Sequence, residues 1–418
     1  MSREMKHSGI EWIGEIPKEW KIGKVKNYYS LQTGFTPDTK NELYYDDENG
    51  YLWVNISDIG NSHYINSTKK KISQYYISKY NPTIVPKGSL LYSFKLSVGS
   101  VAIADVELYT NEAIASFLQG ENVNLNFLFY SSQICIIHNA NENIYGAKLL
   151  NQDLINNATI VFPPLSEQQK IANYLDKVCG EVDKMISLQE QMIEELKAYK
   201  QSVITEAVTK GLIPNVPMKD SGIDWIGEVP EGWKVCKLKN VYQLLNGRAY
   251  LDPELLEEGK YRILRVGNLF SSDKWYYSDM ELEDNKYCQS GDLLYGWSAS
   301  IGPYIWEGEK VIYHYHIWKV LFSNNNLHFS YYLLYALTLA KQRDMHGSAM
   351  QHLTKTNMDN SFIALPPLSE QQSIASYLDT KCTEIDALIA IKQAKIDELK
   401  EYKKSVIYEY VTGKKEVV

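Results

Sequence analysis

Five cysteines stand singly in the 418-residue chain, at Cys135, Cys179, Cys236, Cys288 and Cys382. With no C-x-x-C pair and an odd count, the sequence argues against a disulfide framework and a zinc module, and fits a reducing compartment. Long apolar runs are missing too. The most apolar stretch, 331–340, is far short of the ~20 residues of a membrane span. Met1–His7 has no apolar segment of the secretory kind, so a cytoplasmic location is expected. No G-x-x-x-x-G-K-[ST] loop is present, which argues against ATP hydrolysis by a P-loop. An N-P-P-Y type motif and the glycine-rich loop of an amino-methyltransferase are also missing. His314 and His316 sit two apart in an expected strand and would point the same way. They lack a third ligand of clear spacing, so no metal site is expected. Positive charge is not in excess: 43 Lys and Arg face 51 Asp and Glu, for a net charge of -8. Chains that clamp nucleic-acid phosphates unaided tend to be basic. Any such contact must come from a local face or be shared with a partner.

What is present is a soluble globular composition, 44% hydrophobic and 22% charged, in a chain long enough for two or three domains. Tyrosine is abundant, 32 residues against 10 Phe. Its apolar ring and polar tip suit a wet binding surface or half-buried strand positions. Above all, the chain repeats itself. SGIEWIGEIPKEWKIGKVKN from Ser8 returns as SGIDWIGEVPEGWKVCKLKN from Ser221. PPLSEQQKIANYLDKVCGEVDKMI from Pro163 returns as PPLSEQQSIASYLDTKCTEIDALI from Pro366, and EELKAYKQSVITEAVT returns as DELKEYKKSVIYEYVT. Weaker echoes link Gly88–Tyr92 with Gly291–Tyr295, Ser97–Gly99 with Ser300–Gly302, Asn111–Ile114 with His314–Ile317, and Val54–Ile59 with Leu264–Leu269. A period of about 200 residues marks a duplicated domain rather than a solenoid. One frame with unlike contents suggests two related sites that read different things.

Each half ends in an expected long helix. Pro163-Pro164 and Pro366-Pro367 break what precedes. Ser166 and Ser369 then read as N-caps, with Gln169 and Gln372 completing S-x-x-Q boxes. In the first helix Ile171, Leu175, Val178, Val182, Met185, Met192, Leu196, Tyr199 and Val203 alternate steps of four and three, with Gln189 as a flaw. That is a coiled-coil seam. In the second, Ile374, Leu378, Ile385, Leu388, Leu399, Tyr402 and Val406 hold the seam. Lys381, Lys392 and Lys395 fall on it, while Ile389 and Ile396 drift to a neighbouring stripe. Each helix would have roughly 42 residues and span on the order of 60 Å. The nearest partner with a matching stripe is the other helix.

The regions between read as mixed α/β. Strands are expected around Tyr51–Val54, Ser89–Ser93, Val101–Ala104 and Leu293–Tyr295, and helices over Leu125–Ile137 and His328–Lys341. The expected fold is α/β (α+β), with two similar globular domains, 1–165 and 213–368. Two long antiparallel coiled-coil helices, 166–212 and 369–418, join them in a pseudo-two-fold repeat.

A tryptophan-bounded entry segment (Trp12 to Trp20, Trp225 to Trp233), a G-D-L-L-like strand, and P-P-L-S-E-Q-Q-x-I-A-x-Y-L-D leading into a long helix all occur twice. Across nearly the whole chain this resembles the specificity subunit of type I restriction-modification systems. The resemblance implies two target-recognition domains, each reading half of a split, asymmetric sequence in double-stranded DNA. The antiparallel helices act as spacer. It also implies two methyltransferase (modification) subunits and ATP-driven endonuclease-translocase (restriction) subunits as partners. S-adenosylmethionine, ATP and Mg²⁺ would belong to those partners, and this chain would be non-catalytic.

Base readers should be polar residues on loops of the divergent parts, because base contacts specify while phosphate contacts position. In the first half the candidates are Asn55, Ser57, Asp58, the basic run Lys69, Lys70 and Lys71, and Lys95. In the second they are Arg248, Arg262, Arg265, Asn268 and Lys274, then Lys341, Arg343, His346 and Gln351. A non-DNA coiled-coil scaffold would also suit the acidic charge. A self-contained methyltransferase or nuclease would need motifs that are missing.

Overall fold

The computed structural model describes residues 3–60, 62–142, 148–345 and 353–417. The chain divides into two compact units, Met1–Gln189 with Ala394–Val418, and Glu190–Gln393. The divisions fall inside two long helices, Leu165–Lys210 and Leu368–Val411. Each unit therefore holds one globular domain, the start of that repeat's helix, and the end of the other repeat's helix.

In the first unit the entry segment is a small hairpin, Met5–His7 against Glu15–Pro17, and Lys21–Lys24 pairs antiparallel with Thr159–Phe162. A five-stranded sheet runs in the order Leu31–Thr33, Ile114–Phe117, Leu90–Ser93, Val101–Ala104, Tyr64–Ile65. Its three inner strands are buried at every residue. That is why they read as continuous apolar runs rather than alternating ones. Helix Leu125–Cys135 packs on this sheet through Leu128 and Cys135 beside Leu90 and Tyr92. A smaller sheet orders Tyr109–Thr110, Tyr51–Val54 and Lys70–Ile72, the first two parallel.

The second unit repeats the plan. Met218–Asp220 pairs with Glu228–Pro230, and Lys234–Lys237 pairs with Phe362–Leu365. One sheet orders Tyr242–Asn246, Ile317–Phe322, Leu293–Gly296 and Gly302–Ile305. The other orders Tyr276–Ser278, Tyr261–Leu264, Val311–Tyr313 and Tyr287–Cys288. Helix Leu327–Met345 covers the larger sheet.

The repeated sequence block has a physical reading. Glu167 and Gln168 both donate backbone N–H to Pro164 O at 2.9 Å, and Glu370 and Gln371 do the same to Pro367 O at 3.0 Å. Both helices thus open one residue early, and Ser166 and Ser369 lie inside the first turn rather than at the N-cap. The expected S-x-x-Q boxes do not form. The preceding glutamines, Gln168 and Gln371, are 2% exposed and do the tying. Their Nε2 donates to Pro163 O and Pro366 O, and their Oε1 accepts from the backbone of Asn124 and Asn326. Those asparagines in turn cap the helices at 125 and 327. The indole N–H of Trp20 donates to Glu167 at 3.0 Å, and that of Trp233 to Glu370 at 3.0 Å. The aspartate of Y-L-D accepts a tyrosine hydroxyl, Tyr130 to Asp176 at 2.7 Å and Tyr332 to Asp379 at 2.9 Å. Trp, Glu, Gln and Asp recur because together they fix the long helix to its domain.

Within each unit two helix segments run side by side. Lys403 Nζ lies 2.7 Å from Asp183 in the first unit, and Lys200 Nζ lies 2.7 Å from Asp386 in the second. Repeat alignment equates Asp183 with Asp386 and Lys200 with Lys403, so one ion pair occurs twice, with donor and acceptor exchanged between helices. The seam differs from the expected one at every other position. Ile171, Leu175, Val182, Ile374, Leu378 and Ile385 are buried, and Leu399 is 9% exposed. Val178 and Leu196 are half-buried. Met185, Met192, Tyr199, Leu388 and Tyr402 are exposed. Cys179, Ile193, Cys382 and Ile396 are buried instead, with Ile186 and Ile389 half-buried. Of the lysines expected on the seam, Lys395 is exposed, while Lys381 and Lys392 are half-buried.

The far helix ends complete the domain cores. Val406, Ile407 and Val411 join Ile13, Trp20, Ile171 and Leu175 in the first unit. Val203, Ile204 and Val208 join Ile226, Trp233, Ile374 and Leu378 in the second. Among the described residues no helix is long and apolar enough to cross a membrane.

Candidate nucleic-acid interface

Three turns meet in each unit, and the same backbone bonds hold them. In the first unit Asn111 N–H donates to Val54 O at 2.9 Å, and Phe94 N–H to Ala113 O at 3.0 Å. In the second, His314 N–H donates to Leu264 O at 2.9 Å, and Trp297 N–H to His316 O at 3.1 Å. These bonds gather the turn after strand Tyr51–Val54, the loop after Leu90–Ser93 and the turn before Ile114–Phe117, with their counterparts in the second repeat. A fourth segment crosses them closely. A Cβ on Gly34 would lie 1.7 Å from Thr110 O, and one on Gly247 would lie 2.1 Å from Tyr313 O. Only glycine fits there. The sequence signal for this pair is a glycine seven residues after the shared K-x-K-N block in each repeat.

The side chains on this common frame differ. The first unit's turn is built by its own polar groups: Asn55 N–H donates to Asp58 Oδ2, and Asn55 Oδ1 accepts from the backbone and hydroxyl of Ser57. The second unit repeats the device with Asn268 Oδ1 accepting from Arg265 N–H at 3.0 Å. The Asn268 amide also donates to Ser272 O and Lys274 O, which leaves it holding the loop. Arg265 and Lys274 both lie over the Tyr276 ring, at 5.3 and 5.0 Å. With Ser298, Ala299, His314 and His316 they line an open recess of about 330 Å³. Three of the expected readers, Arg265, Asn268 and Lys274, thus come together. Burial first, then His316 and the Arg265 charge, hold the His314 imidazole down to about 4. His314 extends strand Val311–Tyr313 as an isolated bridge to Arg248, while His316 lies in the turn that follows rather than in the expected strand, their rings 4.8 Å apart. Among the described residues no group of three His, Cys, Asp or Glu is set to hold a metal ion.

The other expected readers have more varied surroundings. Arg248 makes a two-pronged ion pair with Glu254 and lies over Tyr250. Arg262 sits on strand Tyr261–Leu264, 3.3 Å from Glu309, over Trp275. The run Lys69, Lys70 and Lys71 is not a free basic turn. Lys70–Ile72 is a strand, Lys70 faces Trp53 across the pairing, and Lys71 Nζ donates to Glu48 O at 2.7 Å. Lys69 is exposed beside the strand that delivers Asn55. Lys95 is exposed on the second turn, its Nζ 6.0 Å from the Phe94 ring. Lys341 and Arg343 occupy the last turns of helix Leu327–Met345. His346 and Gln351 lie outside the described residues.

Leu96, beside Lys95, was not anticipated. It holds a left-handed φ of 59° and is 90% exposed, the most exposed large apolar side chain described. Its counterpart Ala299 has a φ of 64°. A side chain in that conformation costs about 1 kcal/mol.

The family model for the type I restriction modification DNA specificity domain matches twice, at residues 17–198 and 230–401. The type I restriction enzyme MjaIX specificity subunit of Methanocaldococcus jannaschii is 25% identical, over 85% of each chain. That organism's putative MjaX specificity subunit is 26% identical, over 96% of this chain and 95% of its own. A solved chain from a study of complex assembly and conformational transition of the type I R-M system shares the fold. Its TM-score is 0.72 at 18% identity, over 95% of this chain and 98% of that one. A crystallised HsdS subunit from Thermoanaerobacter tengcongensis gives a TM-score of 0.51 at 18% identity, over 97% and 99%. The chain belongs to the type I restriction-modification DNA specificity family, as a subunit that recognises its DNA target through two domains.

Proposed function

We propose that the subunit reads a split, asymmetric DNA target, one half-site on each three-turn platform. The observation that carries this is the contrast between frame and contents. The same pair of backbone bonds in each unit presents Asn55, Lys95 and Asn111 in one and Arg265, Ser298 and His314 in the other. Arg suits guanine and Asn suits adenine in the major groove. Two unlike platforms would then read unlike half-sites, and the helices that pass from one unit into the other would set the unread spacer. Two methyltransferase subunits and the endonuclease-translocase subunits would bind this chain and carry S-adenosylmethionine, ATP and Mg²⁺. The chain itself would catalyse nothing. Its net charge of -8 fits a division of labour in which partners supply much of the phosphate clamp.

The test is exchange of residues 28–160 for those of a relative, read by mapping methylated sites in cells that also express the methyltransferase subunit. One half-site should change and the other persist. A change in both, or in neither, would overturn the modular reading. The salt dependence of DNA binding should be steeper for the complex than for the chain alone, and equal slopes would remove the shared clamp.

A further inference from the structure

We infer that Leu96 is a specificity determinant of the first half-site, and that it reads the 5-methyl group of a thymine in the major groove. The inference rests on the DNA-reading function proposed above.

The loop is braced. Ser93 N–H donates to Ser100 O at 2.9 Å, Gly99 N–H to Ser93 O at 3.0 Å, and Val98 N–H to Leu96 O at 2.9 Å. The Ser93 hydroxyl closes on Lys95 O at 3.0 Å. Leu96 is therefore held out on a fixed backbone rather than on a floppy tip. Nothing in the fold repays its position: it is 90% exposed, and its φ of 59° suits glycine or asparagine better than leucine. The second repeat keeps the left-handed backbone but carries Ala299, which borders the recess shared with Arg265 and His314. The backbone is common to both platforms, while the side chain at its tip changes from alanine to leucine. That is the pattern of a reader rather than of a frame residue.

The occupant follows from chemistry. The edges of a base pair in the major groove offer hydrogen-bond donors and acceptors and one apolar group, the thymine methyl. An isolated branched aliphatic side chain matches only that group. Exposed Lys95 next to it supplies a cation for the flanking phosphate.

The assembled complex with its methyltransferase subunits tests this. The modified target is mapped first. Duplexes are then made in which each thymine of the first half-site is replaced, one at a time, by deoxyuridine, which lacks only the methyl. One replacement should weaken wild-type binding roughly 3- to 10-fold, the effect of about one buried methyl or more. Leu96→Ala should bind that normal duplex more weakly by a similar factor and be indifferent to the replacement. Leu96→Gly, which relieves the backbone, should be at least as stable as wild type and show the same indifference, so misfolding does not account for the loss. A first half-site without thymine on either strand overturns the inference, as does tolerance of every replacement by the wild type, or unchanged discrimination by Leu96→Ala. In each of those cases the DNA-reading function still stands. A complex that modifies no defined split target removes both.

Discussion

Gly34 and Gly247 hold the crossing that brings four chain segments to each platform. A methyl there would meet Thr110 O or Tyr313 O far inside van der Waals contact. Gly247→Ala should therefore destabilise the second unit by about 3 kcal/mol or more, seen as a lower denaturation midpoint, with its half-site lost first. Glu167 accepts from the Trp20 indole and, through both oxygens, from Arg3. Glu167→Gln keeps the shape but loses the charge, and should cost on the order of 1–3 kcal/mol. His314 adds a pH dependence. Its imidazole is held down to about 4, chiefly by burial, so the folded chain binds fewer protons than the unfolded one between about pH 6.5 and 4. The stability this contributes is complete above about pH 6.5 and is lost as pH falls towards 4. In His314→Gln the fall in denaturation midpoint over that range should be shallower, and equal slopes would refute the assignment. Single side chains were the hardest thing to see in the sequence. Arg265, Asn268 and Lys274 are close in sequence and stayed together, but Arg248 is engaged by Glu254, six residues away, a pairing that composition does not single out. Leu96 went unnoticed because nothing in the sequence marks an apolar residue as left-handed and exposed.

The long helices show which element-level signals survive folding. Their existence and length were plain from the Pro pairs and the seven-residue rhythm. The seam was displaced by one residue at alternate positions because Val178-Cys179, Met185-Ile186, Met192-Ile193 and Leu388-Ile389 are adjacent apolar pairs. Period alone does not choose within such a pair. At 199–200 and 402–403 the inner residue is a lysine, whose stem is covered while its ammonium reaches Asp386 or Asp183. Ile193→Ala and Ile396→Ala should each cost about 2–4 kcal/mol, whereas Met185→Ala and Met192→Ala should stay within about 1 kcal/mol. Chemical denaturation of the four variants separates the two seams. The helix starts were misread for a related reason. S-x-x-Q has the spacing of a capping box, but Pro164 and Pro367 already supply the first acceptor carbonyl, and the glutamine just before the box's own is the buried one.

On the scale of the whole molecule, duplication was the most legible feature, because two long matches in one order survive any local error. What the repeat could not reveal is that the compact units do not coincide with the repeats. Adding four residues to each long helix should lengthen the gap between half-sites while leaving both half-sites intact, as read from the modified sequence; an unaltered gap would refute the spacer role. The exchange of helix ends between repeats has a further consequence, for the order in which the chain matures on the ribosome. The second unit is one continuous stretch, Glu190–Gln393. The first needs Val406, Ile407 and Val411 beside Trp20 and Leu175. The domain made first is thus the last to close, and must wait with an open core while the whole intervening stretch Glu190–Gln393 is synthesised. During translation it is the earlier domain, not the later one, that needs shelter from aggregation and proteolysis.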